Sequence, residues 1–117
     1  MVMKMVRKYD VFSDDSEFDE EATKILEDID DYIKKSLSII RREKNISSYE
    51  IAEKLGIDPM LFILYIQDTL VRMYNRKYFT VKEMAFCMHC KKYYDPNIKF
   101  CPLCGRKTTR IYIFNAI

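Results

Sequence analysis

Glycine and proline are scarce in these 117 residues, two and three respectively, which leaves little room for flexible linkers or low-complexity tracts. Long apolar runs are missing too. Nothing approaches the stretch of about 18 residues that crosses a bilayer. The opening residues, MVMKMVRKYD, have no apolar signal-peptide core. A soluble cytoplasmic protein with no membrane partner is expected. Histidine occurs once, at His89, and no nucleophile motif or phosphate-cradling Gly loop accompanies it, so there is no catalytic constellation to build on. The acidic pairs Asp14-Asp15 and Asp30-Asp31 read as solvated faces and cap charges. Neither an enzymatic activity nor a small-molecule substrate is expected. What the chain does have, 49% hydrophobic residues and 14% aromatics, suffices for one domain or two small ones sharing a core.

Charge is unevenly divided. Residues 1–60 carry 10 basic and 15 acidic side chains, a net of −5, whereas residues 61–117 carry 10 basic and 3 acidic, a net of +7. A polyanion is the natural partner of the second half, and ordinary surface charge is the alternative.

All four cysteines fall in one 18-residue window as two C-x-x-C pairs, Cys87-Met88-His89-Cys90 and Cys101-Pro102-Leu103-Cys104, with ten residues between them. Each pair forms a tight turn that aims two thiolates inward, and two such turns complete a tetrahedral four-sulfur site. A chain without a secretory signal makes two disulfides the weaker reading. His89 is expected to face solvent within its knuckle, because four sulfurs already fill the tetrahedron. Zn2+ is favoured, with Fe as the alternative, since four thiolates accept either. The stretch from Cys90 to Pro96, followed by Cys-Pro-Leu-Cys-Gly, resembles a shortened rubredoxin, which implies an iron-bearing electron carrier. Lys91 stands where that family usually has glycine, and the inter-knuckle loop is shorter. Four thiolates around one divalent ion leave about −2. The flanking Lys91-Lys92 and Arg106-Lys107 therefore either neutralise the cage or meet phosphate.

Upstream the pattern turns helical. From Ala22, apolar residues recur at Ile25, Leu26, Ile29, Ile33, Leu37 and Ile40, predicting one long amphipathic helix, capped near Ser16 or a neighbouring Asp, with residues 1–15 loosely ordered. Ser47-Ser48-Tyr49-Glu50 suggests a capping box opening a second, short helix that ends at Gly56. Asp58-Pro59 starts a third that runs to about Tyr74. Residues 72–82 suit a wing hairpin turning near Asn75-Arg76. The β-branched and aromatic run Thr108–Phe114 suits a strand that completes the ribbon or wing sheet.

Tyr49-Glu50-Ile51-Ala52-Glu53-Lys54-Leu55-Gly56-Ile57-Asp58 resembles the first helix and turn of winged helix-turn-helix proteins, with Ala52 at the helix crossing, Gly56 in the turn and Ile57 in the core. With the cysteine pairs, residues 22–117 resemble the archaeal transcriptional regulators in which a helix-turn-helix domain is fused to a C-terminal zinc ribbon. The same two modules occur in the archaeal general transcription factor E. The resemblance implies an α+β fold, a helical winged-helix-like module over 16–83 followed by a small rubredoxin-like zinc ribbon over 84–117. It also implies a role in transcription regulation.

The third helix departs from that pattern. From Pro59 to Val71 it has no basic residue, so it does not suit major-groove reading. With Phe62, Ile66 and Leu70 turned to the core, Met60, Leu61, Leu64 and Tyr65 are candidates for an interface with a protein partner or a second copy of the chain. DNA contact is expected instead from Arg72, Arg76, Lys77 and Lys82, interleaved with Tyr74, Tyr78 and Phe79, and from Lys91, Lys92, Arg106 and Lys107 of the ribbon. The metal ligands are Cys87, Cys90, Cys101 and Cys104.

Overall fold

The computed structural model describes residues 16–117, with side chains from Glu20 onward. The loosely ordered stretch expected at 1–15 lies outside the described residues, as does the side chain of Ser16, on which the expected cap depends. The single helix expected across 22–40 is instead two, α1 (Ser16–Glu27) and α2 (Ile29–Glu43), interrupted at Asp28, whose φ of −108° and ψ of 26° leave the helical region. The interruption is one residue long, because Asp28 N–H still donates to Lys24 O (3.0 Å) and Tyr32 N–H to Asp28 O (3.1 Å). Its cause is local: Glu27, Asp28, Asp30 and Asp31 crowd like charges at helical spacing around a residue of weak helix propensity. Both halves keep one buried stripe, Ala22 and Ile25 on α1, then Ile33, Ser36, Ile39 and Ile40 on α2.

The short strand β1 (Asn45–Ser47) leads directly into α3 (Ser48–Leu55). The capping box is present: Glu50 N–H donates to Ser47 Oγ (3.2 Å), and Ser47 N–H donates to Glu50 Oε1 (2.9 Å). Gly56 ends the helix in the left-handed conformation (φ 74°), which a residue without Cβ adopts at no steric cost. Asp58 caps the next helix through Met60 N–H (2.8 Å), with Pro59 in its first turn.

That third helical run is α4 (Pro59–Phe62), a π-helical turn (Ile63–Gln67) and α5 (Asp68–Tyr74). Phe62, Ile66 and Leu70 are buried, as expected. Leu61, expected on the outer face, is buried too. In a π turn the hydrogen bond spans five residues, which widens the inward face to adjacent pairs, and Leu61, Phe62, Ile66 and Gln67 are all buried. The buried Gln67 side chain accepts from Ser48 Oγ (2.5 Å) and donates to Arg110 O (3.4 Å), tying this run to α3 and to the sheet.

The sheet is antiparallel, in the order β1–β4–β2–β3, with β2 (Phe79–Cys87), β3 (Lys92–Tyr94) and β4 (Thr109–Ala116). β2 and β4 pair along their length, from Phe79↔Ala116 to Phe86↔Thr109. No wing hairpin turns at Asn75-Arg76. That segment is a tight connection from α5 into β2, and the strand that pairs with β2 along its length, β4, lies at the far end of the chain. The β-rich run 109–116 does complete the sheet. The division expected between 83 and 84 falls inside β2. One face of the hairpin carries Phe79, Val81, Tyr112 and Phe114 onto the helices, where Phe79 and Phe114 meet edge-to-face at 5.0 Å and join Ile46, Ile51, Ala52, Leu61 and Phe62 in the main core. The fold is α+β.

Candidate metal centre

The cysteines sit where this hairpin closes: Cys87 is the last residue of β2, and the other three lie in the 21 residues that separate β2 from β4. The first knuckle leaves β2 at Cys87. Cys90 N–H points at Cys87 Sγ (3.3 Å), and Lys91 N–H closes the turn on Cys87 O (2.7 Å). The second repeats the design, Gly105 N–H donating to Cys101 O (2.8 Å) and Cys101 N–H to Arg106 O (2.7 Å). In both, the residue after the second cysteine takes a left-handed backbone, Gly105 at φ 78° and Lys91 at φ 59°. Lysine holds the glycine-type position of the first knuckle with its ammonium over the Tyr49 ring, 5.0 Å from the centroid, a cation–π contact that offsets the conformational cost.

Cys87 Sγ lies 3.6 Å from Cys104 Sγ, Cys101 Sγ lies 3.8 Å from Cys90 Sγ, and all four sulfurs fall within 4.8 Å of one another. A tetrahedral site with metal–sulfur bonds of about 2.3 Å has sulfur–sulfur edges of about 3.8 Å. The four thiols therefore fit a single tetrahedral ion, and none is joined in a disulfide. His89 is exposed and stands outside the ligand group. Four sulfur donors complete the tetrahedron and leave no position for a reacting water.

The sulfurs are not equivalent. Tyr94 Oη, on β3, lies 3.4 Å from Cys101 Sγ, and its hydrogen bond, helped by the backbone N–H groups of Cys104 and Leu103, draws the Cys101 thiol down to about 6. The same contact pushes the Tyr94 hydroxyl up to about 12. Cys104 is lowered chiefly by the Arg106 backbone N–H. Cys90, desolvated and surrounded by the other three sulfurs, is pushed up to about 12. Sequence reasoning missed Tyr94, and its place two residues after Lys92 on a pairing strand was the available signal. A second anchor joins the knuckle region to the helices: Tyr93 Oη lies 2.6 Å from the hydroxyl of Ser47, the cap of α3, while Phe86 packs between the Tyr49 and Tyr93 rings.

The eight basic residues expected to meet nucleic acid separate into two groups. Lys91, Lys92, Arg106 and Lys107 flank the knuckles. Arg72, Arg76 and Lys77 lie at the opposite end of β2, and exposed Lys82 lies between, on the sheet face turned away from the main core. Of the residues expected at an interface, Leu64 is 57% exposed and Met60 37%, Tyr65 is half-buried against the core, and Leu61 belongs to the interior. The most exposed apolar side chains near the metal site are instead Phe100 (62%) and Leu103 (68%) on the second knuckle. Among the described residues, no helix is long and apolar enough to cross a membrane. Comparison with protein-family models, with curated proteins and with solved structures gave no match.

Proposed function

We propose that this chain is a zinc-binding, transcription-associated protein whose knuckle and hairpin cations contact the phosphate backbone of DNA. Zinc suits the site because the four thiolates form a closed tetrahedron, the usual form of a structural zinc centre, and its role there is to hold the two turns together. The observation that carries the nucleic-acid reading is the surviving charge. From Arg72 to Arg110 the chain has ten cations against Glu83 and Asp95, a net of +8. The roughly −2 left on a thiolate-bound divalent ion removes only a quarter of that. Lys92, Arg106 and Lys107 are exposed, form no ion pair among the described residues and share the end of the hairpin fixed by the ion.

The apolar third helix has less support as a protein interface, because Leu61, Phe62 and Ile66 are covered by the chain's own core. Its one cation is Arg72, in the last turn of α5, and from Pro59 to Val71 it has none with which to read a groove. Contact is therefore with the backbone and of low sequence specificity.

The test is the salt dependence of duplex binding by the zinc-loaded chain. Three phosphate contacts give a slope of log K against log salt of about −2.7, and Lys92→Gln or Arg106→Gln lowers its magnitude by about 0.9 each. Absence of duplex binding at low salt refutes the reading.

A further inference from the structure

At the end of the β2–β4 hairpin away from the knuckles, the chain forms a groove of about 320 Å³. One wall is the C-terminal end of α2, where Ile40 gives an apolar base and Arg41 and Lys44 stand at the rim. The other is the end of α5 and its exit turn, with Tyr74, Lys77 and Tyr78. The walls are fixed by backbone bonds: Ala116 N–H donates to Lys44 O (2.9 Å), and Lys77 and Tyr78 N–H both donate to Tyr74 O (2.9 and 3.1 Å).

The lining holds three cations, no acidic side chain, and Ile117, the last residue of the sequence. Among the described residues none of the three forms an ion pair, whereas the adjacent Arg42 and the nearby Lys54 both meet Glu43, at 3.8 and 3.5 Å. Lys44 is held in a left-handed backbone (φ 72°), a conformation that glycine enters with less strain, so a charged side chain stands at the rim against local backbone preference. The Tyr74 and Tyr78 rings pack at 5.4 Å, and Tyr78 is exposed.

Converging cations select a phosphate, and an exposed ring beside them offers a stacking surface for a planar base. The volume lies at the low end of ligand pockets, which run from about 300 to 1,000 Å³. We propose that this groove binds one nucleotide unit, its phosphate among Arg41, Lys44 and Lys77 and its base against Tyr78. The unit belongs either to a free nucleotide or to a single strand. The proposal stands apart from the duplex reading, since the nine residues of β2 place the groove roughly 26 Å from Cys87 at a rise of about 3.3 Å per residue.

The experiment follows backbone amide resonances of the full, zinc-loaded chain during addition of AMP, inorganic phosphate or single-stranded oligothymidylate. AMP is expected to shift Lys44, Lys77, Tyr78 and Ala116, to leave Cys90 and Gly105 unmoved, and to bind roughly tenfold more tightly than phosphate through the stacking contact. Tyr78→Leu removes that advantage, and Lys44→Gln with Lys77→Gln weakens both ligands. Tighter binding of the oligothymidylate assigns the groove to single strands, and binding no tighter than AMP assigns it to free nucleotides. No shifts at millimolar AMP, or shifts confined to the knuckles, overturn the proposal on the unmodified chain alone, whatever Lys92→Gln does to duplex binding.

Discussion

Removing the metal should unfold one segment and spare the rest. Between β2 and β4, residues 88–108 contain one buried side chain, and it is the ligand Cys101. Burying one apolar side chain stabilises by no more than about 1.5 to 3 kcal/mol, against roughly 10 to 16 kcal/mol for a structural zinc ion at neutral pH. In that segment the ion outweighs apolar burial several-fold. The main core, with Phe62, Phe79 and Phe114, uses none of these residues. Chelation is therefore expected to abolish amide-exchange protection at Lys91, Cys101 and Gly105 while the helical circular dichroism and the protection of Val81 persist. Acid has the same effect, because protons compete for the sulfurs. With Cys101 near 6 in the metal-free site, binding above that pH displaces at most three protons, and below it up to four. Affinity thus falls as pH falls, most steeply below about pH 6. Persistent protection of Gly105 after complete chelation refutes this account, as does loss of the helical signal together with the knuckles.

Tyr94→Phe removes the hydroxyl that supports Cys101 and should weaken metal binding roughly 10- to 100-fold in a competition titration with a chromophoric chelator, with the fold unchanged. Gly105→Ala meets no neighbouring atom and costs only the left-handed strain, roughly 1–2 kcal/mol in metal-coupled stability by denaturant titration. Ser48→Ala strips the buried Gln67 Oε1 of its donor and should destabilise by roughly 1–3 kcal/mol in urea. Ser48→Ala with Gln67→Leu should recover part of that loss, and failure of the second change to help would show that the pair is not coupled.

The metal site is legible in the sequence because its signal is local: two C-x-x-C turns carry their own geometry, and ten residues between them suffice to bring them face to face. Caps at Ser47, Gly56 and Asp58 are legible for the same reason. The interruption at Asp28 is not, since apolar periodicity runs through it undisturbed. Leu61 falls on the wrong face of a regular helical wheel, which has no place for a π turn. The pairing of Phe79 with Ala116 spans most of the C-terminal third of the chain, and nothing in either strand names the other. Asn75 offers the nearest turn signal for a wing, whereas the hairpin closes across the whole cysteine segment. The helix dipole is reason enough for Arg41 and Lys44 at the end of α2, and their convergence with Lys77 and Tyr78 depends on that same long-range pairing.

Because Phe86 and Thr109 are directly paired, the chain enters and leaves the cysteine segment at two adjacent points. Such a segment is a cassette. It can be excised and replaced by a short reverse turn, or exchanged for a different binding loop, with loss of the β3 edge and of the Tyr93 contacts to Ser47 and Phe86 but with the main core left in place.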